Sequence, residues 1–513
     1  MKLAEMIKNV AIEDTNFDLD LHLDDDYETV THHTDDVIDN SIFVAIKGYV
    51  TDGHKFIEKA KNKGAKLSVV EEFQDIDIPQ IKVLNTRIAL ADISNNYYDK
   101  PSKKLNMIGI TATNGKTTTA FMVQKVLEED NRTTGIIGTV FTKYSDVMVP
   151  SILTTPESVV LQKYLNEMYD KGITDVVMEV SSSAQELYRN KNIDFDFVTF
   201  NNLGREHIDQ HGSFENYFRY KSRLIRNARE DAIAVLNFDN KMIADLSNKT
   251  QAHVLSYSLK NLNRDFGISD LDLTTGKGNF IFHINHDIEI KDVIIKKNSF
   301  NIELGTVGYS SVMNSIVAII IGLCLEIPVG TIQRALKNFA GVERRFELIY
   351  DEKFKILDDH FANEKNIDAT MKTLKEMKYN NLNILYAIRG NRGVEVNKEI
   401  TEKLVYWIDK LKPEKFCATL SKDVVTWKDE VSEAELNIFK KILKENGIEC
   451  KIFDTLEEAV NDSINFLKKD DILLLAGCQG MDKGAQYVKD RLLNDNLVTD
   501  VCEFSKRIDG RIC

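Results

Sequence analysis

From Leu105 onward the chain repeats one pattern, a short apolar run, a polar loop and then a helical stretch, through "NMIGITA", "GITDVVMEV", "FDFVTF" and "DAIAVLNFD". Such alternation predicts a mostly parallel sheet with helices on both faces, and it places ligands at the carboxyl ends of the strands. A second alternation starts near Phe346 with "FKILDD", "NLNILYAI", "EKFCATL" and "DILLLAG". The first hundred residues hold shorter β-like runs, "SIFVAIKG" and "KLSVVEE", around a helix-like "GHKFIEKAKNKGA". A β-rich insertion is expected at about 251 to 310. At 513 residues the chain is too long for one core, and roughly 100 to 200 residues per domain gives about three domains. The expected fold is therefore α/β, divided as 1–102, 103–342 and 343–513.

Charge and composition exclude several classes of function. A formal net charge of −14 argues against a nucleic-acid or anionic-membrane surface, either of which would demand clustered Lys and Arg. The longest apolar run, Ile316 to Leu325, is about half the roughly 20 residues a membrane helix needs and reads as a buried helix. The six cysteines are scattered without metal-ligand spacing, as expected for reduced thiols in the cytoplasm. The N-terminus carries acids where a secretion signal would need an unbroken apolar segment. A soluble protein is expected.

The stretch "GITATNGKTTTA", Gly109 to Ala120, ends like a phosphate loop but is out of register. The glycine of the usual pattern would fall on Ile110, and Gly109 comes one place early. The physical requirements are nevertheless met. An apolar strand feeds a loop in which Gly115 admits backbone N–H groups to an anion, Lys116 supplies a point charge, and Thr117 offers a hydroxyl for Mg²⁺ at a helix start. Farther on, Glu179 sits in the apolar run "DVVMEV", where a carboxylate is costly unless it is paired or holds a metal; taken alone it reads at least as readily as a solvated strand end. "NNLGREHIDQHG" brings His207, Asp209 and His211 together ahead of Lys221, which reads equally as a polar loop or a metal site.

Taken in order, these stretches resemble the Mur ligase family, and within it the MurE type, whose members are ATP-dependent amide ligases that add the third residue to UDP-N-acetylmuramoyl-dipeptide. The family's loop, Gly-Thr-Asn-Gly-Lys-Thr, has the same shifted spacing, with Ala112 here in place of its first glycine. The resemblance implies that ATP is held by Thr113, Asn114, Gly115, Lys116, Thr117 and Thr118, with Asn314, Arg345 and Asp358. It implies that a UDP-sugar peptide meets Thr34, Thr154, Thr155, Ser181 and Arg189, and that Asn202 belongs to the active site. Catalysis is implied for Lys116, Glu179, His207 and Lys221. Two Mg²⁺ ions are implied, one on Thr117 and Glu179, the other on Glu179, His207 and Lys221, the lysine carbamylated into an oxygen donor. The family activates a carboxylate as an acyl phosphate, which the incoming amine displaces, so two anions must be neutralised where they meet. A monomer is expected.

The chain departs from the family pattern further, in its first and third domains and at Ser183, which stands in place of a common histidine. Where the MurE type has Asp-Ser-Arg, this chain has His33, Thr34 and Asp35, which keeps a hydroxyl but reverses the charge of the arginine. In the third domain Asp-Tyr-Ala-His-Asn-Pro becomes "DDHFANEKN", and "TLSKDVVTW" stands where diaminopimelate-adding enzymes carry Asp-Asn-Pro-Arg. Arg389 takes a glycine position in "AIRGNRGVEVN", and with Asn391 and Arg392 it forms a candidate clamp for a carboxylate or phosphate. A changed acceptor amino acid is the expectation. The alternative is the same chemistry on a different carboxylate, in a specialised peptide or polyamide pathway.

Overall fold

The computed structural model describes the chain apart from residues 49–50, 205–207, 362 and 512–513, and apart from the side chains of residues 208, 209 and 365. It forms two compact units, Met1–Gly267 with His283–Asn298 and Asn314–Ile332, and Ile268–Phe282 with Ser299–Met313 and Gln333–Cys513.

In the first unit, β1 (Ile12–Thr15), β2 (Thr29–Thr31), β3 (Ser41–Val44), β4 (Ala65–Val70) and β5 (Gln80–Val83) form a sheet in the order β1-β5-β4-β3-β2. It is parallel except for β1. Helix Thr86–Tyr97 begins where the Asn85 side chain accepts the N–H groups of Arg87 and Ile88, relieving two of the donors a helix start leaves unpaired. Its Leu90 and Ile93 pack with Ile42, Val44, Leu67 and Val69 of the sheet.

The larger sheet of this unit is built from β6 (Asn106–Thr111), β7 (Thr134–Ile137), β8 (Phe141–Tyr144), β9 (Val147–Pro150), β10 (Asp175–Glu179), β11 (Phe197–Phe200), β12 (Ile233–Asn237) and β13 (His253–Ser258). Their order is β13-β12-β11-β6-β10-β7-β8-β9, with β8 and β9 as an antiparallel edge. β6 lies between β10 and β11, parallel to both. It is covered on both faces, which is why it reads as a continuous apolar run. The carboxyl ends of β6, β10 and β11 therefore open on one edge.

β14 (Phe266–Asp272) continues from β13 through Tyr257↔Phe266, and β15 (Lys277–Ile284), the paired β16 (Ile288–Ile290) and β17 (Val293–Ile295), and β18 (Asn298–Val307) follow. The β-rich segment thus starts later than about 251, because β13 pairs in parallel with β12 and belongs to the main sheet. The apolar run from Ile316 lies in helix Tyr309–Cys324, with Ile316 to Ile321 buried. No helix of the described residues is long and apolar enough to cross a membrane.

The second unit carries β19 (Glu347–Asp351), β20 (Lys355–Asp359), β21 (Leu382–Ala387), β22 (Lys415–Thr419), β23 (Lys451–Phe453) and β24 (Ile472–Gly477), in the order β19-β20-β24-β21-β22-β23. All neighbours are parallel except β19 and β20. Successive residues point to opposite faces, and both faces are apolar. Ile384 and Leu474 pack with Leu404 and Phe439 on one side, while Leu385 and Leu475 pack with Val460 and Val488 on the other. This is a doubly wound α/β unit, as the alternation from Phe346 predicts.

Candidate active site

β6 ends at Thr111, and the loop that follows turns into helix Lys116–Glu129 at Gly115, whose φ is +82°. Only glycine adopts that conformation without strain. A side chain there would also meet Asn314, since a Cβ would lie 2.5 Å from its Oδ1. Asn202 holds the loop from the end of β11: its Nδ2 donates to the Asn114 carbonyl (2.7 Å) and its Oδ1 accepts the Asn114 N–H (2.9 Å). Thr113 Oγ1 shares a hydrogen bond with Tyr217 Oη (3.0 Å) and accepts the Gly204 N–H (2.9 Å). Lys116 folds back, its Nζ donating to the carbonyls of Ala112 and Thr113. Thr118, one residue past Thr117, is half-buried on the first turn of the helix.

Glu179, at the end of β10, is buried and fully engaged. Its Oε2 accepts the hydroxyls of Thr117 and Thr139, both at 3.0 Å, and its Oε1 accepts the Thr139 N–H at 2.8 Å. A Cβ on Gly138 would collide with the carboxylate. The Glu179 carbonyl accepts the Thr155 hydroxyl (2.9 Å), so this strand end joins the phosphate loop to the "TTPE" stretch. Thr154 Oγ1 lies 3.2 Å from Thr139 Oγ1, and the Ser181 N–H donates to Thr155 Oγ1 (3.2 Å). Arg189 Nε donates to Glu157 (2.9 Å), and Arg87 reaches the other oxygen of the same carboxylate (3.3 Å).

The oxygens of Thr117 and Glu179 are hard donors of the kind Mg²⁺ takes. The buried Oδ1 of Asn314 has no hydrogen-bond partner among the described residues, as fits a loop whose ligand or its water completes the bonding. The residues present therefore fit a metal–nucleotide.

Lys221 is buried and donates to the Ala112 carbonyl (2.6 Å), its Nζ 5.1 Å from the centre of the Tyr217 ring. His207 lies outside the described residues. His211, grouped with it in the sequence, is instead anchored between Glu186 Oε2 and Ser182 Oγ, each at 2.9 Å. Thr34 is buried in the short turn Thr34–Asp36, and Asp35 is drawn toward Lys63 (3.0 Å) and Lys59 (3.9 Å).

The second unit holds a separate charged cluster. Asp358, at the end of β20, is fully buried and faces Arg344 Nε at 3.5 Å and Arg511 Nη2 at 2.6 Å. Arg344 also pairs with Asp482 and donates to the carbonyls of Gly477 and Cys478. Arg345 is exposed. Burial pushes Asp359 up to about 6, despite hydrogen bonds from the Thr370 hydroxyl and the Phe346 N–H. Burial, reinforced by Arg344, Arg345 and Arg389, holds His360 down to about 3.

The glycine-rich loop differs from the expectation of a clamp built by Arg389, Asn391 and Arg392. The N–H groups of Asn391, Arg392 and Gly393 all donate to the Glu435 carboxylate, at 3.1, 2.8 and 2.8 Å. Arg392 pairs with Asp429 at 2.8 Å. Glu435 is also the third residue of helix Glu433–Glu445 and closes its capping box with Ser432. Burial pushes the Glu435 carboxyl up, but its hydrogen bonds from Ser432, Arg392 and Gly393 outweigh that and hold it below the usual range. The loop's anion-binding concavity is thus filled by the chain itself.

Sequence reasoning did not single out Thr139, Tyr217, Glu435, Asp482 or Arg511. Of these only Glu435 leaves a local trace, as the Glu of a Ser-x-x-Glu capping box that starts at Ser432 ahead of an apolar stretch.

A phosphate loop and a buried metal-suited carboxylate at the carboxyl edge of a parallel sheet, with a second doubly wound unit, define a multidomain nucleotide-dependent enzyme. Three family models match in order along the chain: the Mur ligase family catalytic domain over 27–98, the Mur ligase middle domain over 110–322, and the Mur ligase glutamate ligase domain over 344–479. The UDP-N-acetylmuramoyl-L-alanyl-D-glutamate–2,6-diaminopimelate ligase of Bacillus velezensis is 31% identical over 487 residues, 93% of this chain and 94% of that one. The protein of the same name from Clostridium tetani is 31% identical over 503 residues, 96% and 97% of the two chains.

Among solved structures, a ligase of that name superposes with a TM-score of 0.69 at 22% identity, covering 93% of both chains. A UDP-N-acetylmuramoylalanyl-D-glutamyl-2,6-diaminopimelate–D-alanyl-D-alanyl ligase from Acinetobacter baumannii gives 0.63 at 18% identity, over 96% and 98%. The chain belongs to the Mur ligase family, and so to the ATP-dependent ligases that form carbon–nitrogen bonds.

Proposed function

We propose that this chain adds an amino acid to UDP-N-acetylmuramoyl-L-Ala-D-Glu with cleavage of ATP, acting as a cytoplasmic monomer in the synthesis of peptidoglycan precursor. The observation that carries this reading is the placement of Glu179, whose carboxylate is held by Thr117 of the phosphate loop while its carbonyl holds Thr155 of the substrate stretch. In this reading one strand end would bring nucleotide and carboxylate substrate to the same place. In this reading residues 1–102 bind the UDP-sugar, 103–342 bind ATP and 343–513 bind the incoming amino acid.

Lys116 would leave the carbonyls of Ala112 and Thr113 for the terminal phosphates, and the N–H groups at the start of its helix would face the same anion. Thr117 and Glu179 would hold one Mg²⁺, and Glu179, His207 and a carbamylated Lys221 a second. These ions, when bound, supply the positive charge that lets two anions approach. Thr154, Ser181 and Arg189 would position the peptide carboxylate, with Thr34 on the UDP-sugar. Arg345 and Asp358 are assigned to ATP as well.

The curated relatives named for diaminopimelate provide the prior for the acceptor. Arg389 and Arg392 of the 389–393 loop are assigned here to the acceptor's carboxylate, for which Arg392 would leave Asp429. The second reading, a different carboxylate substrate, is favoured by Asp35, which stands where an arginine is usual and pairs with Lys63.

The test is phosphate release from ATP and Mg²⁺ with UDP-N-acetylmuramoyl-L-Ala-D-Glu and pooled amino acids, read with product mass. A product equal to substrate plus one amino acid minus water establishes the reaction and names the acceptor. ATP binding without turnover in every pool would move the assignment to the second reading.

A further inference from the structure

We propose that the helix Val501–Asp509 is an autoinhibitory strap, and that Arg511 just beyond it competes with ATP for Asp358. The inference rests on the assignment of Asp358 to ATP in the proposed function. The strap lies past the stretch matched by the family model, which ends at residue 479.

The helix is fastened across the β19–β20 hairpin. The Phe504 ring meets Tyr350 of β19 edge-on, with centres 6.3 Å apart. Arg507 donates to the Ile349 carbonyl, and the Thr499 hydroxyl to Glu352 at the tip of the hairpin. Arg511 then reaches the side chains of Glu347 and Asp358, which are paired across the two strands. Its Nη2 donates to Asp358 Oδ2 at 2.6 Å and lies 3.3 Å from Glu347 Oε2. The side chains of Arg511, Asp358 and Glu347 are 4%, 0% and 9% exposed. With Arg344 on the other oxygen, Asp358 presents no surface to a ligand. A ribose hydroxyl, or any other donor from a nucleotide, reaches that carboxylate only after Arg511 withdraws.

The contact is also built to open. Arg511 Nε and Nη1 are buried without an acceptor among the described residues, and a buried donor without a partner loses the hydrogen bond that water would give it. Withdrawal hands these two nitrogens back to water. A guanidinium recruited only to stabilise the hairpin would be expected with its fork satisfied, as Arg344 nearby is by Asp482 and two carbonyls. A half-satisfied arginine on a carboxylate that a ligand also needs is a weak competitor.

The test is calorimetric titration of full-length protein with ATP and Mg²⁺, for wild type, Arg511→Ala, Arg511→Lys, Asp358→Asn and the Arg511→Ala/Asp358→Asn double variant, with thermal unfolding of each. Arg511→Ala is expected to bind ATP about five-fold more tightly or better, a typical coupling between competing sites, and Arg511→Lys to show a smaller gain. Asp358→Asn is expected to bind more weakly than wild type, with Arg511→Ala adding nothing on that background. Unchanged or weaker binding by Arg511→Ala, with a lower unfolding temperature, would make the contact structural and overturn the strap. A gain of equal size on both backgrounds would also overturn it, because the competition would not be at Asp358. Should Arg511→Ala not fold, Arg511→Lys decides, since no gain there overturns the proposal. Wild-type affinity in Asp358→Asn would instead remove the assignment of Asp358 to ATP, a result distinguishable from failure of the strap.

Discussion

Asp359 and His360 are neighbours in sequence and are pushed in opposite directions by the same burial. Asp359 ionises near 3.8 when unfolded and near 6 in the fold, so between those values the folded chain keeps a proton the unfolded chain has released. Its contribution to stability is full below 3.8 and is lost as pH rises through about 6. Asp359→Asn is expected to abolish that slope and to be more stable than wild type at pH 7.5 by about 1–3 kcal/mol, read from denaturant unfolding across pH. His360 works the other way. Its pKa falls from 6.5 to about 3, so its contribution is full above 6.5 and is lost as pH falls toward 3, and His360→Gln should flatten the acid limb alone. A His360→Gln variant as acid-sensitive as wild type would remove this account. On the catalytic side, Lys116→Ala is expected to lower kcat for ATP-dependent phosphate release by about 10² or more, the scale of losing one preorganised charge contact. Retained turnover would show that the loop is not the phosphate site.

At the scale of elements, the turn from β6 into helix Lys116–Glu129 depends on one glycine. Gly115→Ala must place a side chain at φ +82° and 2.5 Å from Asn314 Oδ1, for which about 1–2 kcal/mol of backbone strain is expected before any clash. The expected result is a lower unfolding temperature together with weaker ATP binding. A variant that loses neither would mean the loop relaxes freely. This turn was legible in the sequence because everything that makes it is local, an apolar strand, Gly115 and Lys116 within a few residues. β21 and β24 were legible for a related reason, since strands buried on both faces run almost continuously apolar. What was illegible is long-range. Glu435 fills the 391–393 loop from 42 residues away, Tyr217 meets Thr113 across 104, and Arg511 meets Asp358 across 153. Each pairing is set by packing, and a charged residue on a helix or at a loop looks the same in sequence whether it faces solvent or a buried partner. The loop at 389–393 read as open for that reason.

At the scale of the molecule, the five-stranded sheet and the phosphate-loop sheet of the first unit are joined through helix Thr86–Tyr97 and helix Ser158–Asp170. Gln162 Nε2 donates to Asn95 (3.4 Å), Lys191 pairs with Asp92, and Val159 packs into the core of the smaller sheet. Glu157 stands at the head of the second helix, between Arg87 of one region and Arg189 of the other, with all three side chains under a fifth exposed. A carboxylate bridging two guanidiniums there has a double effect, because Arg189 and Thr155 are assigned to the carboxylate substrate. Removing it leaves two nearly buried cations facing each other, which costs more than the pair itself contributes. Glu157→Ala is therefore expected to lower stability by about 1–3 kcal/mol and to raise the KM for the UDP-sugar peptide about ten-fold. The KM for ATP should change little, since Lys116 and Thr117 bond to Ala112, Thr113 and Glu179, while Glu157 holds Arg87 and Arg189. Glu157→Gln keeps the acceptor oxygen without the charge and should fall between the two. Steady-state kinetics in each substrate, with urea unfolding alongside, separate the outcomes. Equal loss in both KM values would show that Glu157 only holds the fold, and an unchanged UDP-sugar KM would detach Arg189 from the substrate.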